Sequence, residues 1–179
     1  AAAAAGLDVL RLGSRYRIAP DVWPSSLWGR AESHPQKPAL DALRREIMRA
    51  QGRARGLLRA ELRKLRRSIH AQILSDGDLV ASTFGTMARE CRRLGPVGTI
   101  LVDEATQATE PECLIPIVKG AKQVVLVGDH CQLGPVVMCK KAAKAGLMQS
   151  LFERLVLLGL RPIGRLRSVP GVMLGKQSS

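Results

Sequence analysis

Apolar positions fall in two rhythms along this chain. Thr99-Ile100-Leu101-Val102 leads into Asp103-Glu104-Ala105-Thr106-Gln107, and Val124-Val125-Leu126-Val127 leads into Gly128-Asp129-His130-Cys131-Gln132-Leu133. An apolar run of four bounded by polar residues predicts a buried parallel strand. Elsewhere the spacing is helical. Leu40, Leu43 and Ile47 form one stripe, and Leu58, Leu62, Leu65, Ile69 and Ile73 form another. Gly52 and Gly56 interrupt the middle, so the pattern predicts two helices joined by a turn. Lys140, Lys141 and Lys144 open a further predicted helix through Leu147 to Leu158.

The polar residues after the two runs are suited to nucleotide chemistry. Open α/β sheets bind ligands beyond the carboxyl ends of their strands, so both runs aim at one crevice if they share a sheet. Phosphoryl transfer needs a metal on the phosphates and a positioned water. Asp103 is suited to hold Mg²⁺ through its water shell, because Mg²⁺ dehydrates reluctantly. Glu104 is suited to orient or deprotonate the attacking water. Gln132 both donates and accepts hydrogen bonds and is suited to sense the γ-phosphate. Thr106 and Gln107 would support these groups from the loop. The plainer alternative is a strand whose acids open the next helix, where the macrodipole favours them.

Thr99 to Ile163 resembles the up-frameshift RNA helicases of superfamily 1, the regulators of nonsense transcripts. The resemblance is carried by Asp103-Glu104-Ala105-Thr106-Gln107-Ala108-Thr109-Glu110-Pro111-Glu112-Cys113 and by Val127-Gly128-Asp129-His130-Cys131-Gln132-Leu133-Gly134-Pro135-Val136-Val137. Met138 to Leu147 and Gln149 to Val156 match as well. The resemblance implies an α/β fold: an incomplete RecA-like, P-loop NTPase parallel sheet flanked by helices. It implies ATP and Mg²⁺ as cofactors, with Asp103 and Glu104 as motif II and Gln132 in motif III. It implies hydrolysis coupled to 5′-to-3′ movement on single-stranded RNA or DNA in nonsense-mediated mRNA decay, with other decay factors bound through domains absent here.

Outside this stretch the resemblance is looser. Val9-Leu10-Arg11-Leu12-Gly13 and Asp78-Leu79-Val80-Ala81-Ser82-Thr83 resemble two family strands, the second ending toward nucleic acid at Thr83. The expected organisation is an N-terminal segment over 1–36, a basic helical insertion over 37–75, a core part with motifs II and III over 76–163, and a divergent tail over 164–179. The family's Gly-rich phosphate loop does not appear among the 179 residues. Gly171-Val172-Met173-Leu174-Gly175-Lys176-Gln177 has its glycines one residue too close and Gln177 where Ser or Thr should stand. The chain is therefore expected to be a piece of a helicase, inactive alone and marginally stable.

Composition adds bounds. A hydrophobic content of 46% predicts a globular chain, while 3% aromatics leave little for base stacking. No apolar run reaches membrane-span length, and the expected setting is the cytoplasm, with the nucleus as a second compartment. Cys91, Cys113, Cys131 and Cys139 lack metal-binding spacing and are expected to be reduced thiols. His130 lies within motif III and is expected only to shape its loop. The net charge of +13 is uneven: residues 37–75 hold eleven Lys and Arg against three acids. Their Arg-rich face could neutralise phosphates or simply be solvated. Thr83, Lys140 and Lys141 are further nucleic-acid candidates. Trp23 and Trp28 are expected to anchor their loop to the core. The alternative function is a basic nucleic-acid-binding or regulatory fragment without ATP turnover.

Overall fold

The computed structural model describes residues 6–90, 93–129, 132–161 and 163–164. The chain forms two compact units. The first comprises the residues up to Val102 together with Pro111–Leu126; the second comprises Asp103–Glu110 and the residues from Val127 onward.

In the first unit, β1 (Val9–Arg11) pairs in parallel with β2 (Leu79–Ala81), Val9 opposite Leu79 and Arg11 opposite Ala81. Parallel neighbours need a long crossover. Here it runs through α1 (Leu27–Glu32), α2 (Lys37–Arg49) and α3 (Gly52–Asp76). The expected break between helices falls at Ala50-Gln51, with Gly52 opening α3 at φ +54°, while Gly56 runs inside the helix. Both stripes feed one core: Leu40 of α2 and Ile69 and Ile73 of α3 are buried with Leu74, Leu10, Leu12, Leu27 and Leu94. Each fully buried Leu or Ile contributes roughly 1.5–3 kcal/mol of transfer free energy. α4 (Phe84–Glu90) follows β2.

The same unit holds a second parallel pair, β3 (Thr99–Val102) and β4 (Gln123–Leu126), with Thr99 opposite Gln123 and Val102 opposite Leu126. Its crossover carries α5 (Glu110–Ile117). The two apolar runs are thus neighbouring strands of one sheet. Two expectations are corrected. Among the described residues the strands make two separate two-stranded sheets, not one. The runs are also not buried on both faces: Ile100 and Val102 are buried, but Leu101 is 66% exposed, and Val124 and Val125 are exposed. In a two-stranded sheet both strands are edges, and only the face covered by other elements excludes water.

In the second unit, α6 (Lys140–Ala142) runs into a π-helical turn over Ala143–Leu147, and α7 spans Leu151–Leu157. The single helix expected from Lys140 to Leu158 is therefore broken. Gly146 has φ +98°, a left-handed conformation that ends a helix. Ser150 then restarts it, its side chain accepting from the Glu153 backbone N–H at 3.1 Å. No helix among the described residues is long and apolar enough to cross a membrane. Cys91, His130, Cys131 and the expected tail beyond Gly164 lie outside the described residues.

Candidate functional site

The chain leaves β3 at Val102 and enters a turn over Asp103–Gln107. The acids therefore do not sit in the first turn of a helix, since α5 begins only at Glu110. Glu104 has φ +52°, the only positive φ outside glycine among the described residues. Such a backbone costs about 1–3 kcal/mol and persists only where its surroundings hold it. Here they do. The Asp103 Oδ1 accepts from the Glu104 N–H at 3.0 Å, and the Gln107 N–H donates to the Glu104 carbonyl at 2.9 Å. The Gln107 Nε2 donates to the Glu104 Oε2 at 3.3 Å.

This turn is tied to the segment that follows β4. The fully buried Ala105 donates its N–H to the Val127 carbonyl at 2.7 Å. A Cβ built on Gly128 would stand 3.1 Å from both the Thr106 Cγ2 and the Thr106 N, so Gly128 lets the two segments approach. Thr106 is buried, and its Oγ1 has no hydrogen-bond partner among the described residues. Beyond Gly128, the Gln132 N–H donates to the Asp129 carbonyl at 3.0 Å, and its Nε2 reaches the Asp129 Oδ2 at 3.4 Å. Pro135, further along the same segment, is among the fully buried side chains.

Of the sequence-derived residues, Asp103 and Glu104 thus sit side by side, and both are exposed. Gln132 bonds to Asp129, and among the described residues no hydrogen bond joins it to Asp103 or Glu104. Asp103 Oδ1 is engaged by the backbone, which leaves its second oxygen for a hydrated cation. A single carboxylate of this kind fits Mg²⁺ held mainly by water and phosphate oxygens. No group of three His, Cys, Asp or Glu among the described residues could hold a metal by itself. Lys140 and Lys141 are exposed on α6.

One clamp in this unit has no counterpart in sequence patterning. Arg154 Nε and Nη2 donate to the two carboxyl oxygens of Glu110, each at 2.6 Å, a bidentate pair that ties α7 to the start of α5. The Arg154 guanidinium holds the Glu110 carboxyl below its ordinary range. A separation of 44 residues leaves no periodicity from which to read such a pair.

Thr83 belongs to the first unit. Its hydroxyl donates to the Thr86 hydroxyl at 3.2 Å, and both residues line a cleft of about 1090 Å³. Trp28 and His70 line the same cleft. His70 is buried; burial first, then the positive charges of Arg66 and Arg93, lower its pKa to about 4 against the opposing pull of Glu90. The imidazole is therefore neutral at physiological pH.

Residues 42–140 match the family described as "AAA domain". The chain is 58% identical over 102 residues to a regulator of nonsense transcripts 1 homolog of Drosophila melanogaster, covering 56% of this chain and 8% of that protein. It is 60% identical over 100 residues to the ATP-dependent helicase NAM7 of Saccharomyces cerevisiae, covering 56% of this chain and 10% of that protein. It is 73% identical over 64 residues to the ATP-dependent helicase upf1 of Schizosaccharomyces pombe, covering 36% of this chain and 7% of that protein. The chain thus spans a tenth or less of these relatives.

Proposed function

Because the chain belongs to the AAA domain family, we propose that it supplies part of the ATP-binding core of a helicase acting in nonsense-mediated mRNA decay. The likeness to regulators of nonsense transcripts, first met in the sequence, supports the process; the relatives named ATP-dependent helicases support the energy source. The fold in this reading is RecA-like. Hydrolysis drives movement on single-stranded RNA or DNA in the cytoplasm or nucleus, and other decay factors bind the remainder of the protein.

The observation that carries the reading is the junction after β3 and β4. Two adjacent parallel strands end together, and the 2.7 Å bond from Ala105 to Val127 ties the acid-bearing turn to the segment leading to Gln132. The carboxyl ends of parallel strands are where nucleotides bind. Asp103 would hold Mg²⁺ through water, and the ion when bound neutralises charge on the phosphates. Glu104 takes a proton from the attacking water as its oxygen bonds to the γ-phosphorus; the bond to the bridging oxygen breaks, and ADP and phosphate leave. The Gln107 contact fixes the Glu104 carboxylate through one oxygen and leaves the other for that water. Gln132 reads the γ-phosphate, and its hold on Asp129 passes the loss of phosphate to the loop.

The test is RNA-stimulated ATP hydrolysis by the native protein that carries this chain. Asp103→Asn is expected to raise the Mg²⁺ concentration needed for half-maximal rate. An unchanged Mg²⁺ requirement would remove Asp103 from the role. A second reading, a nucleic-acid-binding module without turnover, is favoured by the basic cleft of the first unit.

A further inference from the structure

Among the described residues, the Thr106 hydroxyl is the only fully buried side-chain polar atom without a hydrogen-bond partner. The residue is 4% exposed. A buried hydroxyl that bonds to nothing is less stable than the methyl of a valine of the same shape. Its surroundings do not call for a hydroxyl: Ala105 and Ala108 beside it are buried, and Gly128 lies across from it. A position that only needed filling would be filled better by Val. An orphaned polar group of this kind asks for a role.

Thr106 stands where a small movement reaches the catalytic acid. The Glu104 carbonyl accepts from the Gln107 N–H, which closes a four-residue turn with Ala105 and Thr106 at its centre. Ala105 is bonded to the Val127 carbonyl, and the Thr106 backbone N and Cγ2 both lie against Gly128. A shift of the Gly128 segment therefore passes through the two central residues to Glu104 at the end of the turn. Glu104 carries the left-handed backbone. One turn thus holds two adjacent costs, a strained main chain and an unpaired hydroxyl, as switching elements do.

A paired arrangement is one side-chain rotation away. The methyl of Thr106 faces Gly128, and a rotation of about 120° at χ1 puts the hydroxyl where the methyl stands. There it meets main chain, which offers both a donor and an acceptor.

We propose that Thr106 is a positioning residue for hydrolysis: during turnover its hydroxyl bonds to the main chain at Gly128 and so holds the Glu104 carboxylate in place for the attacking water. The proposal rests on the role of Glu104 proposed above. It adds the group that couples the turn of Glu104 to the segment leading to Gln132.

The experiment measures RNA-stimulated ATP hydrolysis by the native protein that carries this chain, with amide hydrogen exchange over residues 103–107 alongside. Wild type is compared with Thr106→Val, Thr106→Ser and Glu104→Gln. Thr106→Val keeps the shape and removes the hydroxyl. It is expected to lower kcat roughly tenfold, which converts to about 1.4 kcal/mol of transition-state stabilisation. The KM for ATP should change by less than about twofold, because the lost bond is made during turnover. Amide protection of the turn should stay level or rise, since an unpaired polar group has been removed. Thr106→Ser returns the hydroxyl and should bring kcat to within about threefold of wild type. Loss of kcat without loss of protection, rescued by Ser, is a result that packing alone does not produce. Wild-type kcat in Thr106→Val overturns the inference. Lower protection in Thr106→Val overturns it too, because the hydroxyl would then be bonded at rest, through a buried water. Equal losses of kcat in the Val and Ser variants would assign the effect to packing and equally overturn it. If Glu104→Gln loses turnover and Thr106→Val does not, only Thr106 loses its role; if Glu104→Gln turns over normally, both readings fail.

Discussion

Gly29→Ala is expected to be the costliest methyl that can be added to the first unit. A Cβ at this position would stand 2.0 Å from the Trp23 carbonyl oxygen and 2.9 Å from its carbon. These are backbone atoms and cannot rotate away. The same oxygen accepts from the Ser26 N–H at 3.0 Å and the Ser26 hydroxyl at 2.7 Å, while that hydroxyl caps α1 by accepting from the Gly29 N–H at 3.0 Å. Moving the carbonyl aside weakens two hydrogen bonds, each worth about 1 kcal/mol net. Overpacking adds roughly 1–3 kcal/mol, and the better helix propensity of Ala returns about 1 kcal/mol. The expected net loss is about 3 kcal/mol. Urea unfolding followed by tryptophan emission reads it directly, since Trp23 and Trp28 both lie in this unit. The midpoint should fall by roughly 1–3 M at a typical urea dependence for a small domain. Gly56→Ala is the internal control. It lies inside α3 with nothing within 4 Å of the added carbon, and it should stabilise by about 0.5–1 kcal/mol. Equal midpoints for wild type and Gly29→Ala would refute the reasoning.

Other predictions follow from the same geometry. Ser150→Ala removes the cap of α7 and should lower the stability of the second unit by about 1 kcal/mol, read by hydrogen exchange of the α7 amides. Acid should weaken the first unit through His70. Its folded pKa of about 4 lies below the ordinary 6.5, so the unfolded chain binds the proton first and stability falls as pH drops through that window. The loss from pH 7 to pH 5 should be about 2 kcal/mol, and His70→Leu should flatten this limb. A wild-type unfolding midpoint independent of pH across that range would show that His70 is not held neutral.

The sequence made the regular parts of this fold legible, and geometry decided the rest. The stripes at Leu40, Leu43 and Ile47 and at Leu58 to Ile73 predicted α2 and α3 because their spacing puts apolar side chains on one side of each helix, where Leu40, Ile69 and Ile73 are buried. The apolar runs predicted β3 and β4 for the same kind of reason, but overstated their burial. A run records that side chains are apolar, whereas burial depends on what covers each face, and Leu101 has no cover. The break at Gly146 was hidden because glycine inside a helical pattern is often tolerated. At the candidate site, the residue types at Asp103, Glu104 and Gln132 could be read from the chain. The left-handed backbone of Glu104 could not, since it is held by its bonds to Asp103 and Gln107 and by the bond of the neighbouring Ala105 to Val127. Trp28 was legible as an anchor; its partners were not, because Arg66 and His70 meet it through the packing of α1 on α3 and Gly13 through the segment that follows β1.

The most direct test of the central claim is ATP turnover by the native protein that carries this chain, wild type against Glu104→Gln, with nucleotide binding measured alongside. The substitution keeps the size and the hydrogen-bonding reach of the side chain and removes its basicity. The account predicts a fall in turnover of about 10²-fold or more with ATP still bound. Turnover at the wild-type rate would contradict it.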